Sequence, residues 1–258
     1  MNTMYDNPNT YKKTFDWENL PEYLKQAQWA ELVQLKETIH GLSTKIARPI
    51  RILDIGVGDG RVLKHLIPIE EIWNEVEHYH AIDNTELCIE NTTKLVADCN
   101  ASDKVTVELL DATNLSNLNG KYDLIITTWF TAGNFYPSDF PFEDYGRQPR
   151  LDLSHNLKFE KIFSAAYSLL EQDGILFLGS VYIDNDATRQ KQESFYSYFG
   201  MNVITDSEDS FTATKEGYWS QRFTSSKIEV YLREIPKYKF SYITLDTYSF
   251  AMTVKIAK

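Results

Sequence analysis

Cysteine is scarce: the 258 residues hold only two, Cys88 and Cys99. Both fall in a stretch that reads as one helix and its end, without metal-ligand spacing, so neither a disulfide framework nor a metal site is expected. A reducing, cytoplasmic setting fits that usage. No apolar run approaches the roughly 20 residues needed to cross a bilayer. Residues 1–11 are polar rather than basic-then-apolar, so membrane insertion and secretion are not expected. Basic residues are also in deficit. With 26 Lys and Arg against 37 Asp and Glu, the formal charge of −11 repels nucleic acid unless the cations cluster. Internal repeats and low-complexity tracts are missing too.

What is present suffices for an ordinary core. Hydrophobic residues are 43% of the chain and charged ones 24%, which excludes disorder. The 5 Trp, 16 Tyr and 14 Phe include many in polar surroundings, where neither helical nor strand period demands them. Some are expected to line a pocket.

From Glu22 to Ile46, Leu24, Trp29, Leu32, Leu35, Ile39 and Leu42 recur at helical spacing, with Lys25, Glu31, Lys36 and Glu37 expected to face water. This helix belongs to an N-terminal cap over residues 1–48. After Pro49, short apolar runs alternate with helical stretches: strands at 51–55, 79–82, 105–110 and 122–128, helices at 61–67 and 85–97. Parallel neighbours need a crossover, usually a helix, so the alternation predicts an α/β, Rossmann-like, doubly wound sheet. A helix at 157–170 leads to a fifth strand at 175–181, and another helix is predicted at 190–199. Ser226 with Glu229 reads as a capping box for a helix to Glu234. Phe240, Tyr242, Thr244 and then Tyr248, Phe250, Met252, Val254 and Ile256 alternate as two strands about a turn at 245–247. Seven strands are expected, mostly parallel, the last antiparallel, in a single domain over 1–258. Residues 131–156, with three prolines and two glycines, are too long for a mere connection and read as a lid.

The strongest chemical signal is Ile52-Leu53-Asp54-Ile55-Gly56-Val57-Gly58-Asp59-Gly60-Arg61, a strand that breaks into alternating glycines and then opens a helix. Such a turn lets backbone approach a ligand beneath free helix N–H groups. The spacing G-x-G-x-G is not the dinucleotide fingerprint G-x-G-x-x-G, and Asp54 suits a ligand with a cationic end better than a pyrophosphate. Asp83 and Asp111 close the next two strands. Ligands of open parallel sheets bind outside the carboxyl ends of the strands, so these acids converge on one crevice. One carboxylate there can hold both hydroxyls of a ribose and another can accept from an exocyclic amine.

These pieces, with Ala81-Ile82-Asp83, Leu110-Asp111-Ala112 and Tyr122-Asp123-Leu124-Ile125-Ile126-Thr127-Thr128-Trp129, resemble the class I S-adenosylmethionine-dependent methyltransferases of the small-molecule type. The resemblance implies S-adenosylmethionine as cofactor and S-adenosylhomocysteine as product. It implies that Gly56, Gly58 and Gly60 wrap the methionine part with Asp54 near its amino group, and that Asp83 holds the ribose beside Asn84. Asp111 would accept from the adenine amine, the Ala112 backbone would meet the ring, and Thr128 and Trp129 would border the sulfonium and the acceptor. Tyr11 resembles a tyrosine that closes over the cofactor in small-molecule members. The segment Glu216–Phe223, which holds Trp219 and Arg222, resembles a substrate-side insertion, so 206–224 is expected to join 131–156 as a lid. The family's Asn or Asp, Pro-Pro, aromatic signature for amide and nucleobase nitrogens is absent; Thr128-Trp129-Phe130-Thr131 stands in its place.

Beside Trp129, the aromatics Phe130, Phe135, Tyr136, Phe140, Phe142 and Tyr145 are expected to roof a substrate site rather than only fill a satellite core. Asp139, Glu143 and Asp144 suit an amine, whereas Arg147, Arg150 and Arg222 suit a carboxylate; an amino acid satisfies both. His155 and Tyr136 are the candidate bases. The expected reaction is methyl transfer to a nitrogen or oxygen of a small metabolite, without metal, nucleic acid or membrane. Aminopropyl transfer on the same fold and a noncatalytic cofactor-binding subunit are the alternatives, and a nucleic-acid methyltransferase is a weaker one.

Overall fold

The computed structural model describes residues 12, 15–147, 149–235, 239–244 and 250–258. The first long helix, α1, spans Glu22–Ile46 and buries Leu24, Ala27, Leu32, Leu35, Ile39 and Leu42, ending where Ala47 turns left-handed at φ 55°. Two residues depart from the expected stripe. Trp29 is 58% exposed, whereas Glu31 is fully buried. The reason for the second lies just beyond the strand tips, where Arg61 and the Trp129 amide meet the buried carboxylate.

Seven strands follow the order β3-β2-β1-β4-β5-β9-β8. They are β1 (Ile50–Ile55), β2 (Val76–Asp83), β3 (Val105–Leu109), β4 (Tyr122–Thr127), β5 (Leu170–Tyr182), β8 (Lys239–Thr244) and β9 (Ala251–Ala257). The first five run parallel, and β9 runs antiparallel to both β5 and β8. The turn expected at 245–247 lies outside the described residues. Because β1 pairs with β2 on one side and β4 on the other, the chain order reverses there and a crevice opens at the carboxyl ends.

Strand periodicity sends alternate residues to two cores. Ile52, Leu124, Ile126 and Phe177 meet α1 and α2 (Arg61–Leu66) on one face. Leu53, Ile55, Ile125, Leu176 and Leu178 meet α5 (Leu157–Leu169) and α7 (Ser225–Tyr231) on the other. Between these lie α3 (Glu70–Trp73), α4 (Glu86–Asp98) and α6 (Asp186–Tyr198). The cap of α7 is not the expected Ser226 but Thr224, whose hydroxyl accepts from the Lys227 amide at 3.1 Å. Thr224 stands one residue before the first helical turn, where orphan amides need an acceptor. Among the described residues, no helix is long and apolar enough to cross a membrane.

A small antiparallel sheet, β6 (Phe211–Ala213) with β7 (Trp219–Gln221), was not predicted as strands. Its Phe211, Ala213 and Trp219 pack with Phe140, Tyr145 and Leu153 from the long loop. The Tyr145 hydroxyl donates to Asp209 at 2.6 Å and Asn156 Nδ2 to Gln221 at 3.0 Å, so segments 131–156 and 206–224 form one packed cover.

Candidate functional site

A cleft of about 1240 Å³, counting its open mouth, lies at the carboxyl ends of β1 to β4. Gly56, Gly58, Asp83, Asn84, Asp111, Ala112 and Thr128 border it, and so do Trp129, Phe135, Tyr136 and Trp219. Residues distant in the chain are thus brought to one surface.

Gly56 adopts φ +80°, and a Cβ there would stand 2.6 Å from Thr131 Cγ2. Only glycine fits this close approach of the β1 turn to the segment after β4. The Gly58 amide donates to Asp83 Oδ2 and the Thr85 amide to Oδ1, each at 3.0 Å, which locks the first loop to the tip of β2. Burial raises the Asp83 carboxyl above its ordinary range, and these two amides oppose the rise. Asp111 accepts from both the amide and the hydroxyl of Thr113 on the single oxygen Oδ1, at 2.8 and 2.7 Å. Burial raises its carboxyl, but the Thr113 bonds and the charges of Lys158 and Lys161 outweigh this and hold it below the usual range. No donor among the described residues reaches Oδ2. The glycine loop, an anionic Asp111 with a free oxygen and the Ala112 backbone beside it fit an adenosyl group with hydroxyls and an exocyclic amine.

Several predicted residues stand elsewhere. Asp54 shares the strand face of Ile52, so it points away from the cleft, fully buried, and accepts from the Tyr79 hydroxyl at 2.6 Å. Burial pushes its carboxyl up to about 7 in spite of that bond and the charge of Arg61. Gly60, at φ +77°, caps α2 and faces α4, where a Cβ would meet Leu95 Cδ2 at 2.6 Å. Phe130 turns inward and stacks on Tyr182 with centroids 3.7 Å apart. Arg222 is 2% exposed and spends its donors on Asp184, Gln192, Thr212 and the Asp209 carbonyl. It braces the cover and offers no fork to a ligand. Arg150 pairs with Asp206 and Glu208 at the surface, and Asp139, Glu143 and Asp144 are exposed. His155 is exposed, pairs with Glu160 at 3.1 Å and does not border the cleft. Tyr136 does border it, but burial raises its phenol, which stays protonated at neutral pH and serves as a donor. Tyr11 lies outside the described residues.

Other residues of the cleft were given no role by the sequence motifs. Phe15, Arg61, Asn134, Lys158 and Gly217 also line the cleft. Arg61 follows the glycines directly, and its position after them was a usable signal. Its guanidinium pairs with Glu31 and lies 5.5 Å from the Trp129 ring, while Glu31 Oε2 accepts from the Trp129 amide at 2.9 Å. That amide points at Glu31 because Trp129 and Phe130 are both left-handed, at φ +52° and +64°. Gly179 makes room, since a Cβ there would stand 2.6 Å from Glu31 Oε2. A buried carboxylate of α1 therefore fixes the backbone at the Trp129 edge of the cleft.

The comparisons with known proteins agree with this architecture. Residues 46–228 match the family model described as a methyltransferase domain, and the chain belongs to that family, among the class I S-adenosylmethionine-dependent methyltransferases. Its fold is similar to an S-adenosylmethionine-dependent methyltransferase from Clostridium acetobutylicum, at 14% identity over 99% of each chain and TM-score 0.57. It is likewise similar to magnesium protoporphyrin IX methyltransferase from Synechocystis with bound S-adenosylhomocysteine, at 12% identity over 98% of this chain and 96% of that one, TM-score 0.59. The 1,6-didemethyltoxoflavin-N1-methyltransferase of Burkholderia thailandensis matches at 13% identity over 99% and 86%, TM-score 0.55. No curated protein matches. The chain is an S-adenosylmethionine-dependent methyltransferase enzyme.

Proposed function

We propose that the methyl acceptor is a small metabolite, an amine or amino acid offering nitrogen or oxygen, bound under the cover formed by 131–156 and 206–224. The observation that carries this is the aromatic wall of Trp129, Phe135, Tyr136 and Trp219 bordering the same cleft as the glycine loop. When bound, S-adenosylmethionine would supply an electrophilic sulfonium methyl for the acceptor's lone pair, with neutral S-adenosylhomocysteine as the leaving group. In this reading Gly56 and Gly58 admit the methionine part, Asp83 and Asn84 take the ribose, and Asp111 and Ala112 take the adenine. The aromatic wall excludes water and aligns the acceptor, an effect that can supply about 7–11 kcal/mol of the barrier. Asp54 acts beneath the loop through Tyr79, and neither His155 nor Tyr136 is assigned as base. An ammonium acceptor first gives a proton to water to free its lone pair, and a hydroxyl acceptor gives its proton to water as the new bond forms. Aminopropyl transfer calls for acids along an amine tunnel, whereas the segment after β4 contributes Thr131, Asn134 and aromatics. The acidic surface suits a cytoplasmic enzyme of small molecules better than a nucleic-acid partner.

Calorimetric titration with S-adenosylhomocysteine tests the cofactor half. Micromolar binding is expected, and Asp83→Ala should weaken it about 100-fold, the scale of lost charge-assisted hydrogen bonds. Unchanged affinity in the variant would sink the ribose assignment. Screening amines and amino acids for methyl transfer then tests the acceptor.

A further inference from the structure

Among the described residues, five charged side chains border the cleft, and four have close partners. Asp59 pairs with Lys64 at 2.6 Å and Arg61 with Glu31. Asp83 takes two backbone amides and Asp111 takes Thr113. Lys158 differs. Its ammonium lies 4.8 Å from the centroid of the Tyr136 ring, and no carboxylate among the described residues comes within ion-pair distance. Tyr136 in turn leans toward Trp219, 6.3 Å between centroids, so Lys158 stands where the aromatic wall meets the cover.

Lys158 is also out of place by local rules. It is the second residue of the 13-residue α5, where the positive end of the helix dipole disfavours a cation. A local conflict of this kind, only partly compensated by Asp111 and the Tyr136 ring, points to a ligand. Burial lowers the Lys158 ammonium below its ordinary range, and Asp111 only partly offsets that. An acceptor entering the cleft removes more water from this charge, and a buried cation without a counter-ion is costly.

We propose that Lys158 is the anion site for the methyl acceptor, which therefore carries a carboxylate, with an aromatic or apolar body lying against Tyr136, Phe135 and Trp219. This rests on the reading that the acceptor occupies the aromatic side of the cleft. It moves the recognition of an acid from Arg222, which is buried in the cover, to a lysine that no motif marks. It also narrows the acceptor from amines in general to acids and amino acids.

The test uses the full chain saturated with S-adenosylhomocysteine and matched probes that differ in one carboxylate: benzoate and benzamide, anthranilate and 2-aminobenzamide, tyrosine and tyramine. Calorimetry should find the acid of at least one pair bound about 10- to 100-fold tighter than its partner, the range for a hydrogen bond to a charged group. Lys158→Gln should abolish that preference and Lys158→Arg should keep most of it, with affinity for S-adenosylhomocysteine within about twofold in both, a change worth less than half a kcal/mol. Acids bound no better than their partners, or a preference that survives Lys158→Gln, would overturn the proposal. So would a Lys158→Gln variant that loses mainly S-adenosylhomocysteine, because the lysine would then belong to the adenine. Wild type that fails to bind S-adenosylhomocysteine would instead bring down the underlying reading of the cleft.

Discussion

The two sides of the cleft are built differently. At the tips of β1, β2 and β3, the wall consists of backbone amides and carboxylates fixed by turns of a few residues, such as Gly58 on Asp83 and Thr113 on Asp111. Across from them, Tyr136 and Trp219 are held by rings from two separate segments. Trp219 stacks on Phe211 at 3.9 Å and meets Phe140 edge-on at 4.8 Å. The first side can be specified locally because a ligand common to a whole enzyme class meets polar groups at set offsets from strand ends. In the proposed reading the second side meets the acceptor and must change with it, and ring packing allows that without touching the sheet. Glu31 joins the two, through Arg61 on the loop side and the Trp129 amide on the aromatic side.

Breaking that joint should have the largest effect. Glu31→Ala leaves Arg61 buried without its carboxylate and should cost about 3–5 kcal/mol of stability in chemical denaturation. It should also weaken S-adenosylhomocysteine binding, whereas Leu35→Ala on the same helix, a core truncation away from the cleft, should destabilise by about 2–5 kcal/mol and leave affinity intact. Equal affinities in the two variants would remove Glu31 from the site.

Arg222 separates the cover from the cleft. Arg222→Lys loses the fork to Asp184, Gln192 and Thr212 and should cost about 1–3 kcal/mol in denaturant midpoint, with S-adenosylhomocysteine affinity unchanged. Loss of affinity in proportion to stability would mean that the two sides fold as one unit.

Asp54 sharpens the loop side through pH. Its ordinary value is 3.8 and burial raises it to about 7, so the native state holds a proton that the unfolded chain has released across that interval. The stability this group contributes is present below about pH 4 and is lost as pH climbs through about 7. Asp54→Asn should flatten that decline and stabilise the protein at pH 8 relative to wild type, read from denaturation midpoints between pH 4 and 8. A variant with the wild-type slope would show that Asp54 is ionised in the fold. The smallest effect is expected at His155, where His155→Gln should change S-adenosylhomocysteine affinity by less than about twofold, as for other exposed positions.

Much of the loop side was legible. Alternating apolar runs and helical stripes find β1 to β5, with β5 starting five residues earlier than read and the short helix Glu70–Trp73 not foreseen, and Gly56 and Gly58 with Asp83 and Asp111 mark the crevice. Period two also bears on Asp54, since a residue that alternates with Leu53 and Ile55 must leave their face. What periodicity could not reach was the partner of a side chain. Glu31 reads as a solvated helix residue until Arg61 and the Trp129 amide are brought to it. Arg222 reads as a ligand fork until Asp184 and Gln192 consume its donors. Phe130 reads as roof until its left-handed backbone turns it onto Tyr182.

By itself, the sequence determined the α/β class and a crevice at the strand ends, because these depend on spacings within one strand, turn and helix, and the resemblance its motifs carry implied the cofactor. Only the tertiary structure decided which charges are compensated, which aromatics face the cleft and that Lys158 is left over. Those follow from contacts between residues tens of positions apart, and no period along the chain records such contacts.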